Sequence, residues 1–304
     1  MRELLLWHVY LFGYLYRVDF IREMSTEPNY KMNKALEKQL EKLFLQALHE
    51  PAYRAEFLEQ LMNSDIYFPG STEQIDDSQT QERYLEENSS VNIKSWPNEQ
   101  YGRIIPFFTS LEKMSLAFES HENFICLSCK VLFEMTQGSL LILNPESNAI
   151  KEFTPYEIQY LLAGDYSDQS EAYEIAAETE IMLGQPKQRP DFMLDQLSKL
   201  FTQYPEVDSA FFAQSYNPAS DQAPSLIIGL LFGDVVEMDK MNRLHATIGQ
   251  VANDCLETKI TVDLLHLDPQ KSDQDIHHYL LNQTDAFYIR QKQQKKGFFA
   301  KLFS

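Results

Sequence analysis

Cys126-Leu127-Ser128-Cys129 is the one CxxC in the chain, and thiol chemistry is the most specific chemistry any spacing in this sequence offers. A redox or nucleophilic thiol wants its first cysteine at a helix N-terminus, where the dipole lowers the thiol pKa. Here the pair spans the end of an apolar strand pattern and the start of a short helical one, so that geometry stays open, although no proline lies inside the motif. A zinc site would need a second pair of ligands, and only Cys255 and scattered histidines remain. Two small buried side chains fit the pattern better than a reactive dithiol.

The seven histidines show no metal-binding spacing. His121-Glu122 begins like a metalloprotease motif, but Ile125 stands where its second histidine belongs. His277 and His278 are adjacent, so on a helix they point about 100° apart; solvated helix residues are the expectation. Phosphate cradles need clustered glycines, and the chain has only 10, none in G-x-G spacing and none before lysine. No G-x-S-x-G elbow is present for a serine hydrolase. Carboxylates are plentiful but fall in polar segments, where a solvated face is the default. No catalytic residue, metal ligand or cofactor is therefore assigned from the sequence.

One segment departs from its background. After Asp285 there is no acid, and Arg290, Lys292, Lys295, Lys296 and Lys301 supply five cations. Phe298, Phe299, Leu302 and Phe303 form an apolar cluster after the first four of them, with Lys301 inside it. On a helix, Phe298 and Leu302 would share one face, Phe299 and Phe303 the adjoining one, with Lys301 opposite. So short a segment does not hold a helix alone, and its ordering is expected to accompany binding. The candidate contact residues are Lys295, Lys296, Phe298, Phe299, Lys301, Leu302 and Phe303. Their target is a groove on a partner protein or, weakly, an anionic membrane surface; the alternative is an aromatic end folded back on its own domain.

Composition bounds these readings. The chain has 304 residues, 44% of them hydrophobic, with 20 Phe and 16 Tyr, enough for two globular domains. Its net charge of −19 repels phosphate backbones, which speaks against nucleic acid and for basic partners. Three cysteines are too few for a disulfide framework and point to a reducing cytoplasm. Leu4 to Tyr16 is an apolar run of 13 residues, short of the ~20 of a spanning helix and without a signal-peptide cleavage site. It reads as an over-extended start, with Met24 or Met32 the true beginning, or as an appended hydrophobic helix.

The elements that must position any site follow from periodicity. A helix carries Leu36, Leu40, Leu43, Phe44 and Ala47, a second carries Phe57, Leu58 and Leu61, and Ile66 to Phe68 is a strand closed by Pro69-Gly70. Residues 71–100 are acidic and read as a mobile loop with at most a weak strand at Val91 to Ile93. Arg103 to Phe108 is a strand, Thr109 with Glu112 forms a capping box for the next helix, and Phe124 to Leu127 is a strand. Val131 to Gln137 is a helix ended at Gly138, and Leu140 to Leu143 a strand. Thr154-Pro155-Tyr156-Glu157 opens a helix that stops at Gly164.

Residues 166–180 read as an acidic linker. Beyond it the order is βαββαβα: a strand at Ile181 to Leu183, a helix through Leu194 to Phe201, an antiparallel pair at Val207 to Gln214 and Leu226 to Phe232. A long helix then carries Met241, Leu244, Ile248, Val251 and Cys255. A strand at Ile260 to Leu267 precedes a last helix, capped by Ser272 and Asp275, through Ile276, Leu280 and Phe287. The expected fold is α+β: two consecutive mixed α/β sheet domains with helices packed on the sheets. The segments are a leader at 1–32, domains at 33–165 and 181–290, and a basic aromatic tail at 291–304.

Several of these stretches resemble the SseB, or enhanced serine sensitivity, family of Gram-negative bacteria. The resemblance runs from about Asn33 to Arg290. It is carried by Ile105-Pro106-Phe107-Phe108-Thr109-Ser110, Leu132-Phe133-Glu134-Met135-Thr136, Leu143-Asn144-Pro145, Gly184-Gln185-Pro186 and a closing Tyr279 to Tyr288 helix. The two halves resemble the family's N-terminal and C-terminal domains, and the family's name implies a connection to serine sensitivity and amino-acid metabolism. Taken together, the expectation is a cytoplasmic, non-catalytic binding or regulatory protein with a protein partner. The rivals are an enzyme using Cys126 and Cys129, and an adaptor recruited to membranes through the tail.

Overall fold

The computed structural model describes residues 5–10, 16–18, 28–72, 83–85, 90–118, 123–164, 181–218, 223–233, 235–256, 260–271 and 275–291. The chain divides into two compact units, Met1–Tyr166 and Ser167–Ser304, each an α+β arrangement of a mixed sheet with helices packed on it.

Unit 1 begins with strands β1 (Leu5–Tyr10) and β2 (Tyr16–Val18), helices α1 (Pro28–His49) and α2 (Arg54–Met62), and strand β3 (Asp65–Thr72). It continues with β4 (Arg83–Leu85), β5 (Ser90–Asn98), β6 (Gly102–Phe107), α3 (Leu111–Ala117), β7 (Phe124–Ser128) and α4 (Cys129–Met135). Strands β8 (Leu140–Leu143) and β9 (Lys151–Phe153) and helix α5 (Pro155–Ala163) complete it. The main sheet runs β7-β3-β5-β6-β8-β9, with β1 also paired to β5, while β2 and β4 pair with each other. Residues Leu5–Tyr10 are thus extended against β5 rather than helical.

The apolar stripe of α1 behaves as its spacing requires. Leu40, Leu43, Phe44 and Ala47 are buried, although Leu36 at the start of the stripe is exposed. The ring of Phe44 stacks on Phe57 of α2 at 4.5 Å between centroids. These side chains join Ile66, Phe68, Ile105, Phe107, Ile125, Leu127, Phe133, Leu141 and Phe153 in one core. Because side chains alternate along a strand, Tyr67 and Cys126 leave the opposite face and pack with Phe108, Met114 and α3. At α5 the expected start and stop hold: Thr154 Oγ1 accepts the Glu157 N–H, and Gly164 adopts φ 63°.

Four expectations need correction in unit 1. Residues 71–100 are not a loop throughout, since β5 spans nine residues with Val91 and Ile93 fully buried. The apolar alternation of Val91 and Ile93, continued by the buried Ser95 and Trp96, outweighs the acidic surroundings. Nor does Pro69-Gly70 close β3. Asp65 to Pro69 pair with β7 and Gly70 to Thr72 pair with β5, so the dipeptide marks a change of partner. The helix after β6 is capped by Ser110, whose side chain accepts the Lys113 N–H, and not by Thr109. Finally, α4 begins at Cys129 because Ser128 Oγ accepts the Val131 N–H.

Unit 2 comprises β10 (Met182–Gly184), α6 (Asp191–Phe201), β11 (Val207–Tyr216), β12 (Ser225–Phe232), α7 (Met238–Cys255), β13 (Val262–His266), α8 (Asp275–Gln283) and β14 (Tyr288–Ile289). Its sheet runs β10-β11-β12-β13. Strands β11 and β12 are antiparallel, and β12 and β13 are parallel across the α7 crossover. Leu194, Leu197, Leu200 and Phe201 of α6 and Leu244, Ile248 and Val251 of α7 are buried as their spacing demands. The last helix stops at Gln283, short of Phe287, and Tyr288–Ile289 pair with β11 instead. Tyr288 packs its ring on Phe201 and donates its hydroxyl to the Phe201 carbonyl, which holds this segment extended.

The expected linker 166–180 and the Ser272 cap lie outside the described residues. Among those described, no helix is long and apolar enough to cross a membrane.

A Cβ at Gly70 would fall 2.6 Å from the Asn92 carbonyl oxygen, so the change of partner in β3 needs glycine. Gly70→Ala is expected to lower the stability of unit 1 by about 1–3 kcal/mol. Urea unfolding followed by tryptophan fluorescence measures this, because Trp7 and Trp96 both belong to unit 1. An unchanged midpoint would show that the β3–β5 crossing relaxes freely.

Candidate functional site

In unit 1 the parallel strands β6 and β8 end side by side, with Phe107 opposite Leu143. The chain leaves β8 directly into Asn144 and leaves β6 through Phe108 into Thr109, and these two polar residues hold each other. Asn144 is fully buried and takes φ 50°, in the left-handed region. Its own N–H bonds the Phe107 carbonyl at 2.8 Å, and its Oδ1 accepts the Thr109 N–H at 2.9 Å. Its Nδ2 donates to Thr109 Oγ1 at 3.0 Å. An asparagine tolerates this backbone better than most residues because a short amide can bond locally.

Helix α1 supplies the other half of the site. Thr109 Oγ1 donates to Glu41 Oε1 at 3.0 Å, and Ser110 Oγ donates to the same oxygen at 2.6 Å. One turn earlier on α1, Glu37 Oε1 accepts the Tyr67 hydroxyl at 2.7 Å. Tyr67 is carried in place by β3, whose backbone exchanges two hydrogen bonds with Phe108. Asn144, Thr109 and Glu41 thus form one directed chain of hydrogen bonds, with Ser110 as a second donor to its end.

Glu37 and Glu41 stand four residues apart on one helix face, a repulsive spacing for like charges. Burial, followed by the charges of Glu41 and Glu112, raises the Glu37 pKa above its ordinary value, while the Tyr67 hydrogen bond and Lys34 oppose the rise. Burial, with Cys126 and Glu37 adjacent, pushes the Tyr67 phenol far above its usual range, so it stays a donor. The arrangement is a half-buried carboxylate pair fixed by three hydroxyls. It can accept hydrogen bonds and attract cationic groups. Its serine is already committed, because Ser110 Oγ both caps α3 and donates to Glu41.

The residues singled out by sequence fare differently. Lys295, Lys296, Phe298, Phe299, Lys301, Leu302 and Phe303 all lie outside the described residues. Cys126 lies within β7 and Cys129 is the first residue of α4, both buried. Burial pushes the Cys129 thiol well up, the opposite of what a reactive thiolate needs. His277 is not the solvated residue expected. It is buried, and its Nδ1 accepts the Asp268 N–H at 3.3 Å, whereas His278 is exposed. Among the described residues no group of three or more His, Cys, Asp or Glu could hold a metal ion.

Glu37, Glu41 and Tyr67 were not singled out, and Asn144 entered only as part of the Leu143-Asn144-Pro145 motif, with no role in a site. A signal existed for the glutamates, two like charges at i and i+4 bordering the buried stripe of a helix. None existed for the contact of Glu41 with Thr109 and Ser110, which lie 68 and 69 residues away from it.

Two outcomes follow from this geometry. Asn144→Ala removes the side-chain bonds to Thr109 and leaves an ordinary residue at φ 50°, so unit 1 should lose about 2–4 kcal/mol in the same urea experiment. Glu37→Gln should act in the opposite direction. A carboxyl whose pKa is raised on folding favours the native state while protonated. That contribution is lost as pH climbs from the ordinary 4.5 through the raised value. The glutamine variant should therefore melt above the parent at pH 7, with the difference closing as pH falls through the raised value toward 4.5 and staying closed below it.

Comparison with known proteins places these motifs in a family. Residues 37–160 match the SseB protein N-terminal domain and residues 175–290 the SseB protein C-terminal domain. Protein SseB of Escherichia coli (strain K12) is 31% identical over 253 residues, covering 83% of this chain and 92% of the relative. Protein SseB of Shigella flexneri matches over the same length with the same identity. No solved structure matches the chain. With both domain families matched in order and a relative aligned over most of its length, the chain belongs to the SseB family.

Proposed function

We propose that the chain is a non-catalytic binding protein of an accessory or regulatory kind, acting in the bacterial cytoplasm and linked through its family to serine sensitivity and amino-acid metabolism. One observation carries this reading. The polar residues of the most specific motifs, Thr109, Ser110 and Asn144, are spent on one another, on a helix cap and on Glu41. They build a fixed acidic surface, suited to docking the basic groups of a protein partner. The chain's net charge of −19 supports a basic protein over nucleic acid as that partner.

The tail is the second contact in this reading. Lys295, Lys296 and Lys301 with Phe298, Phe299, Leu302 and Phe303 combine charge with aromatic area, the phenylalanines suited to an interface core and the lysines to steering toward acidic groups of that partner. Thiol catalysis at Cys126 and Cys129 is the weaker reading, because the Cys129 thiol is buried and held protonated.

The test is affinity capture from a lysate of the source bacterium with the full chain, a chain ending at residue 290, and a Glu37→Gln/Glu41→Gln double variant. Each truncation or substitution should remove the same prey protein. Unchanged capture by all three would overturn the reading. Retention of the full chain but not the truncated one on anionic lipid vesicles, with no protein prey, would replace it by membrane recruitment.

A further inference from the structure

Unit 2 carries a pair of imidazoles that no step above uses. His245 lies on the inner part of α7 and His266 is the last residue of β13. Their Nε2 atoms are 2.8 Å apart and their ring centroids 4.9 Å apart. One ring therefore donates its Nε2–H to the lone pair of the other. The edge of the His266 ring system meets Phe232, the last residue of β12, at 5.1 Å in a T-shaped contact. His266 is exposed and His245 half-buried, so solvent reaches the pair.

The pair stands at one end of the parallel strands of this mixed sheet. Strands β12 and β13 are parallel neighbours joined by α7, with Leu230 opposite His266. Phe232 and His266 thus mark their carboxyl ends, outside which open α/β sheets bind ligands. The two nitrogens, delivered by a helix and a strand, face each other across 2.8 Å, and a turn of both rings would aim their lone pairs at one tetrahedral d-block cation between them. At a Zn–N length of about 2.0–2.1 Å, two such nitrogens stand roughly 3.3 Å apart. The pair needs to open by about half an ångström, and the shared proton to move from Nε2 to Nδ1 of the donor ring. No proton is gained or lost in that tautomeric change.

We propose that His245 and His266 form a binding site for one divalent cation of the zinc class, held through both Nε2 atoms with water in the remaining positions. Two protein ligands make it an open, exchangeable site and not a closed structural one. The chain's acidity raises the local concentration of cations around it. Borderline ions that accept imidazole are favoured over Mg2+ and Ca2+, which take oxygen ligands.

Zn2+ titrated into the full chain and followed by calorimetry, with imidazole nitrogens observed by NMR, tests this. One equivalent should bind, with the two resonances of His245 and His266 moving together. His245→Gln and His266→Gln should each weaken binding at least about tenfold, and His278→Ala should leave it unchanged. Circular dichroism of each variant confirms that it is folded. If one variant fails to fold, the other, with the NMR assignment in the parent, still decides. Absence of a Zn2+-induced shift at either ring, or a Zn2+ affinity indifferent to both glutamine variants, would overturn the proposal and leave the pair as a hydrogen bond alone.

Discussion

Asn144 joins the carboxyl ends of β6 and β8 through its backbone N–H on Phe107 and its side-chain oxygen on Thr109, and much of unit 1 is arranged around that junction. Parallel neighbours deliver their exits to the same end of a sheet, where two chains must turn away without stranding polar groups. A left-handed residue with a local amide solves both parts at once. Thr109, held in this way, presents its hydroxyl to Glu41, and Ser110 follows to cap α3. The carboxamide thereby fixes Thr109 against Glu41, while the buried stripe of α1 and the Tyr67 hydroxyl hold the rest of the acidic pair in place.

Unit 2 meets a related problem at a sheet edge. Strand β11 is ten residues long, and one of its sides is covered by two short strands, β10 at Gln214–Tyr216 and β14 at Ser209–Ala210. Between them the Gln185 amide donates to the Phe212 carbonyl at 3.0 Å. A glutamine thereby stands in for the missing strand residue, which gives the Gly184-Gln185-Pro186 motif a physical meaning. Covering the edge in pieces also removes a row of open backbone groups that could pair with another chain.

Most of the fold was legible in the sequence because burial and local caps decide it. The stripes Leu40 to Ala47 and Leu244 to Val251, and the Thr154-Pro155 start with its Gly164 stop, all act within one element. The strand β5 was misread because its acidic flanks hid an alternation of only a few residues. Phe287 and Tyr288 were misread because a helical spacing continued past the point where contact with Phe201 and β11 takes over. The candidate site was illegible for a further reason. Thr109 reads locally as the start of a capping box with Glu112, and only the meeting of α1 with the β6 and β8 exits turns it and Ser110 toward Glu41. Pairings across nearly seventy residues leave no periodic trace.

Arg290 closes the last described strand by donating from Nε and Nη2 to the Val207 carbonyl, beside Asp208. Its backbone N–H also bonds the Asp208 carbonyl. The chain beyond it therefore starts from a guanidinium clamp on the sheet's longest strand and not from a frayed end. Any displacement of Gln291 meets that clamp first and then the two-residue pairing at Tyr288–Ile289. Release of the clamp would uncover Ser209 and Ala210 on the edge of β11, so the last described residues and that strand are coupled.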